Sequence, residues 1–560
     1  MTSTSTTPAY PYFAPRYVLA SVAVSIGGLL NGFDTGSIGA VTQMRQFEES
    51  IGPLSATMLG ITVSMIMLTG TLPSLFAGHF ADKFGRLTAI IPGALLFGIG
   101  ALLQCLARNL AQFIAGRAIA GAGQGVFLSN VSVYICEIAP LRHRGTLAGL
   151  PQFMATAGVC LGYFTCYGTV GIQSDVAWRF PYILQCLFCF VLTWSCMLLP
   201  DSPRWLMLKG RQADARQALL KLDYPMVEAE RDFLAITDQA PSLSLWQGFL
   251  LLFRRGYRAR TILALFVCGM VQLSGIDAVV YYAPVLFEQA GLSSSNASFL
   301  ASGLSSILML AISIPAFLLA DKWGRRTSAI SGGIVLTSCM FLMGTLYAAG
   351  VVHAYGAARW LVIIAVFVFG LAYCSTWGIV GKIYASEIQP GHTRAAASCT
   401  AMSLCFATNF VVAIITPVLL EASAFGAYFL FGGLSLGTVC VLAAYMPETR
   451  GRSLESIQEA FHRPAALSGG VESLLRPLGL AGPRRRAHPP PREPAAGEEV
   501  ELEPRDASEA VAASAISVDT VPRAMRLEVS VSVCAALARC FLDASRFRYR
   551  STILYVPHSL

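Results

Sequence analysis

Ala81-Asp82-Lys83-Phe84-Gly85-Arg86 returns later in the chain as Ala320-Asp321-Lys322-Trp323-Gly324-Arg325, and this echo decides the fold. Two more stretches repeat at nearly the same interval of about 240 to 250 residues. Tyr134-Ile135-Cys136-Glu137-Ile138-Ala139-Pro140 is matched by Tyr384-Ala385-Ser386-Glu387-Ile388-Gln389-Pro390, and Pro200-Asp201-Ser202 by Pro447-Glu448-Thr449. Each copy sits just after the second, fourth or sixth apolar run of its half. Two homologous bundles, one following the other, account for all three pairs.

The runs between the repeats are long enough to cross a hydrocarbon core, which takes about twenty residues as a helix. In the first half they cover Tyr17–Ala40, Ala56–Phe76, Thr88–Ala107, Gln112–Cys136, Thr146–Gly168 and Phe180–Leu199. The second half gives Thr261–Phe287, Ser298–Ala320, Thr327–Ala349, Trp360–Tyr384, Ala395–Leu420 and Phe425–Tyr445. Because the runs are uninterrupted, helices are expected and not the shorter alternating strands of a barrel. The expected fold is therefore all-α, with twelve membrane helices in two bundles spanning 17–200 and 261–446. Residues 1–16 precede the first bundle, 201–260 form a charged cytoplasmic loop with short helices at Arg211–Leu222 and Val227–Ile236, and 447–463 carry the last repeat. Residues 464–560 turn to Pro, Arg, Ala and Glu, a composition of disordered tails.

With 55% hydrophobic and 13% charged residues, the chain departs from soluble domains, where about a quarter of residues are charged. The loops after even-numbered spans, with both ends, hold roughly twenty Lys and Arg against about four in the opposite loops. Both termini are expected in the cytoplasm, and the lipid bilayer is the first partner. The net charge of +8 follows from that asymmetry and an Arg-rich tail, so no nucleic-acid partner is expected. Fifteen cysteines lie scattered within apolar runs without close-spaced pairs, as buried thiols do, and neither they nor the histidines show metal-ligand spacing. There is no nucleophile elbow and no Walker loop, so no enzyme is expected. Gly121, Gly123 and Gly125 read as close helix packing, since no strand precedes them and no Lys-Ser/Thr follows.

Taken in order, several motifs resemble those of the sugar porter branch of the major facilitator superfamily. They include Gly27 to Gly36 with Asn31-Gly32-Phe33-Asp34, Gly116-Arg117, Glu137 to Gly145, Pro200 to Trp205, Gln272-Leu273-Ser274-Gly275-Ile276 with Tyr281-Tyr282, Glu387 to Arg394, and Pro447 to Arg452. The resemblance runs from about Gly27 to Leu454 and has a fungal-type, hexose- or quinate-transporter look. It implies a major facilitator fold and a cytoplasmic gate network of Asp82, Arg86, Glu137 and Arg144, answered by Asp321, Arg325, Glu387 and Arg394. Paired carboxylates and guanidiniums at one membrane face suit such a latch on their own chemistry.

Asp34 lies mid-span, where an ionised carboxylate is costly and usually functional. The resemblance pairs it with Arg117, as in proton-coupled members, which makes a proton the coupling ion and leaves no other cofactor. A static buried ion pair is the alternative. For the substrate, Gln152 and Gln272 match family sugar contacts, with Asp277, Tyr281 and Lys382 beside them. The family pattern is broken at several of these places: Val271 stands for a glutamine, Asp277 and Cys405 for asparagines, Ile379 for a proline and Lys382 for a stacking tryptophan. Asp277 and Lys382 could neutralise each other, or Lys382 could receive a substrate carboxylate. The expectation is a secondary transporter of a monosaccharide or related polyhydroxy compound with proton symport, in the plasma membrane. A facilitative carrier, a sugar-acid or quinate transporter and a non-transporting glucose sensor are the alternatives.

Overall fold

The computed structural model describes residues 15–140, 143–224, 245–254, 257–291, 295–319, 324–353, 356–389, 394–423 and 425–449. Of residues 144, 245–248, 295–300, 318–319, 382–383, 385–387 and 394–395 only the backbone is described. All of these belong to one compact unit, Pro15–Ala466. The tail from 464 onward and the short helix expected at Val227–Ile236 lie outside the described residues.

Eleven helices among the described residues are long and apolar enough to span a membrane, and the apolar segment Ala301–Phe317 of the helix Ser295–Leu319 supplies a twelfth. The first six are Arg16–Val41, Ala56–Phe84, Arg86–Cys105, Leu110–Ile138, Gly145–Thr169 and Val176–Leu198. Glycine sets how closely they pack. Gly28, Gly32 and Gly36 recur every four residues on the first span, so they share one stripe, and a Cβ on any of them would run into the carbonyls of Pro151, Ala155 and Val159 on the fifth. Gly121, Gly123 and Gly125 do the same for the fourth span against Ile66, Phe97 and Gly70, the close packing that their spacing predicts.

The second half corrects one expectation. Its seventh and tenth spans are not continuous. Thr261–Phe287 is observed as Arg258–Gln272, Ile276–Tyr281 and Ala283–Gln289, interrupted at Gly275, whose left-handed φ of 87° favours a residue without a Cβ. Trp360–Tyr384 is observed as Ala357–Ser375 and Trp377–Glu387, broken at Thr376. Hydropathy cannot see either break, because the residues on both sides are equally apolar. Broken helices are tolerated in lipid where the freed backbone faces protein or a cavity. The eighth, ninth, eleventh and twelfth spans (Ser295–Leu319, Arg325–Ala348, Arg394–Ala422 and Gly426–Tyr445) run unbroken. The loop between the halves contributes the helices Pro203–Leu208, Gln212–Lys221 and Leu245–Phe253, the second of them within the expected Arg211–Leu222.

Candidate functional site

A cavity of about 130 Å³ lies between the halves. A single water needs at least about 10–15 Å³, so the cavity has room for a small polar molecule. The first half contributes Asn31 and Thr35 from the first span and Gln152 and Thr156 from the fifth. In each pair the residues are four apart and therefore on one helix face. The second half contributes Gln272 and Asp277, which flank the break at Gly275, Tyr373 just before the break at Thr376, and Asn409. Residues flanking both interruptions thus line the cavity.

The polar groups are linked to one another. Gln272 Nε2 donates to Asp277 Oδ2 at 2.8 Å, and the Tyr373 hydroxyl donates to Gln272 Oε1 at 3.3 Å. Across the cavity Asn31 Oδ1 accepts from Gln124 Nε2 of the fourth span. The remaining wall is soft and apolar: Met67, Met309, Met402, Cys374, Cys405 and Phe406. Trp377 does not join it, since its Nε1 donates to the Ala329 carbonyl at 2.7 Å and the indole is turned into the ninth span.

Asp34, on the same span as Asn31 and Thr35, does not line the cavity. It and Arg117 are 1% and 0% exposed. Arg117 approaches both carboxylate oxygens at 3.3 Å and also donates to the Val63 carbonyl at 2.9 Å. Gln185 Nε2 of the sixth span donates to Asp34 Oδ1 at 3.3 Å. The pairing expected from sequence is therefore present, with a third member that sequence reading missed.

At the end of the bundle that carries the repeated motifs, Arg86 grips Glu137 in a two-pronged pair at 3.1 and 2.9 Å and reaches Asp82 at 2.5 Å. Asp201 accepts from the backbone N–H groups of Arg86 and Leu87 at 3.1 and 3.3 Å, capping the third span. Burial pushes the Asp201 carboxyl above its ordinary range, and those N–H bonds pull it back. The second half repeats this cap: Glu448 accepts from the N–H groups of Arg325 and Arg326 at 2.7 and 3.1 Å. Tyr134 and Tyr384 donate to the carbonyls of Pro200 and Pro447 at 2.8 and 3.3 Å. Each repeated motif pair thus occupies an equivalent place. Asp321 and the side chains of Arg144, Glu387 and Arg394 lie outside the described residues.

Of the expected substrate residues, Gln152, Gln272 and Asp277 line the cavity. Tyr281 does not, and its place corrects that expectation. It is 1% exposed, its carbonyl lies against Gly39 of the first span, and its ring meets Tyr282 edge-on. The half-helix Ile276–Tyr281 folds over the first and fifth spans, where the Tyr163 hydroxyl donates to the Val280 carbonyl, and this places Tyr281 in a contact between the halves. The Lys382 side chain lies outside the described residues. Asn31, Thr35, Tyr373 and Asn409 went unread because an isolated polar residue on an apolar run looks the same whether it faces a cavity or a neighbouring helix.

Comparison with known proteins agrees with this architecture. The sequence profile of the family described as "Sugar (and other) transporter" matches residues 20–461. A high-affinity glucose transporter of Kluyveromyces lactis is 31% identical over 474 residues, covering 80% of this chain and 86% of that protein. The arabinose-proton symporter of Bacillus subtilis is 28% identical over 453 residues, covering 79% and 94%. Among solved structures, the partially occluded inward-open xylose transporter XylE from E. coli superposes with a TM-score of 0.65, at 23% identity and over 78% of this chain and 100% of that one. This last likeness speaks for the fold. The chain is a multi-pass membrane protein and belongs to the sugar (and other) transporter family, the sugar porters of the major facilitator superfamily.

Proposed function

We propose that the protein carries a monosaccharide or a related polyhydroxy compound across the membrane by alternating access, in symport with a proton. The observation that carries this reading is the adjacency of two sites on one helix. Asn31 and Thr35 face the cavity, while Asp34 between them is buried against Arg117. A proton on Asp34 would cancel its charge and loosen its hold on Arg117, so the protonation state of the first span can bias how the halves sit around the cavity. Gln152, Gln272, Asn31 and Asn409 offer both donors and acceptors, which a ring of hydroxyls needs. The glucose and arabinose-proton transporters named above support the substrate class and the symport. Arg86, Glu137 and Asp82 form the first half of a latch that closes one end of the bundle and opens as the halves rock. The excess of basic residues near those motifs supports a cytoplasmic position for that end and for both termini, and the family resemblance supports the plasma membrane as the site of action.

Uptake of labelled D-glucose, D-xylose and D-arabinose into transporter-deficient cells, with and without a protonophore, tests the reading. Accumulation that collapses with the protonophore is expected. Asp34→Asn should abolish uphill accumulation while leaving sugar exchange down a gradient. Accumulation unaffected by the protonophore would reject symport, and failure to move any sugar, sugar acid or polyol would reject the transporter reading in favour of a sensor.

A further inference from the structure

Asp34 is held by two side chains, and only one of them is charged. Gln185 Nε2 shares Asp34 Oδ1 with Arg117, each at 3.3 Å. Gln185 is 0% exposed, and its other polar atom, Oε1, has no protein hydrogen-bond partner. An orphaned amide oxygen inside a membrane bundle is costly, and a leucine would pack the same space without that cost. Arg117 Nε and the Tyr182 hydroxyl, buried beside the same pair, also lack a protein partner. The arrangement satisfies the ionised carboxylate and leaves unused the acceptor that the protonated form would need, Gln185 Oε1.

A primary amide carries a donor and an acceptor on one rotatable carbon. We propose that Gln185 is a positioning residue of the proton site whose amide turns over when Asp34 takes up a proton: Nε2 donates to the carboxylate, and Oε1 accepts from the O–H of the acid. The proton comes from the aqueous side to which the site is open and adds to one Asp34 oxygen. Arg117 keeps its charge and its bond to the Val63 carbonyl. In this way Gln185 satisfies both forms of Asp34, and the carboxyl group can let go of Arg117 without losing every partner. The groups facing Asp34 are Arg117 from the fourth span, Gln185 and Tyr182 from the sixth and Tyr281 from the second half, with Tyr282 beside Arg117. Phenols are neutral across the physiological range, so Arg117 is the full charge among them.

The inference rests on the symport reading, and infrared titration of the full-length protein in lipid separates the two. A carboxylic-acid band that appears on acidification and is lost in Asp34→Asn is the expected signal; if no such band exists, the symport reading fails and this inference with it. In Gln185→Met, which keeps length and volume, the band's pH midpoint should rise by up to about one unit, because the charge-assisted bond to the ionised form is the stronger of the two. A band present with an unmoved midpoint overturns the role of Gln185 alone, and a merely structural role would lower stability and leave the midpoint in place. Should Gln185→Met fail to fold, wild-type protein with glutamine ¹³C-labelled at the side-chain carbonyl gives a second reading. An amide band that shifts with the carboxyl midpoint, and is lost in Asp34→Asn, is expected; an amide band that does not move overturns the proposal.

Discussion

Each half of the molecule places one aspartate near the centre of the bundle, and the two are treated in opposite ways. Asp34 is sealed behind the wall and paired with a guanidinium. Asp277 stands in the wall itself, where it organises Gln272 and, through it, Tyr373. At the end that carries the repeated motifs the halves agree, Asp201 and Glu448 capping equivalent helices. The two halves share the caps, whereas the centre differs: a buried charge pair on one side and a carboxylate in the cavity wall on the other.

The contrast can be broken first at the buried pair. Arg117→Met strands a carboxylate among apolar spans and should cost about 3–5 kcal/mol, seen as a large fall in melting temperature or yield. The double change Asp34→Leu with Arg117→Met should recover most of that loss while remaining unable to accumulate sugar. Recovery no better than additive would mean that the pair is not a coupled unit. On the cavity side, Gln272→Ala removes the residue through which Asp277 and Tyr373 are joined. Apparent affinity in exchange assays should weaken about tenfold, or about 1.4 kcal/mol, with little change in proton coupling.

Asp277→Asn sharpens the comparison, because it keeps an oxygen acceptor for Gln272 and removes only the charge. Charged hydrogen bonds are about twice as strong as neutral ones, so a smaller change in KM, on the order of two- to fivefold, is expected in the same assay. An effect of similar size belongs to the repeated caps. Asp201→Ala and Glu448→Ala should each lower stability by about 1 kcal/mol and add when combined, since the capped helices lie in different halves. Calorimetry in detergent would show this as two similar downward steps in melting temperature.

The membrane spans and the duplication were legible in the sequence because they depend on local composition and on spacing. Asp34, Arg117, Arg86, Asp82 and Glu137 were legible because a charge within or at the edge of an apolar run has few ways to be satisfied. The breaks at Gly275 and Thr376 were not, since a helix interruption alters backbone angles without altering hydropathy. Gln185 was invisible for a related reason: one amide on the sixth span carries no sign of which helix it faces. Tyr281 was misread because its neighbourhood in the sequence belongs to the cavity while its side chain belongs to the contact between the halves.

The glycine stripe joining the first and fifth spans has a mechanical consequence. With three backbone contacts in register, neither helix can slide or roll against the other, so the two behave as a single beam. Gln152 on that beam lines the cavity, and Asp34 on the same beam is buried outside it. A tilt forced by a ligand pressing on the cavity face therefore carries the Asp34–Arg117 pair with it, with no relay of side chains in between.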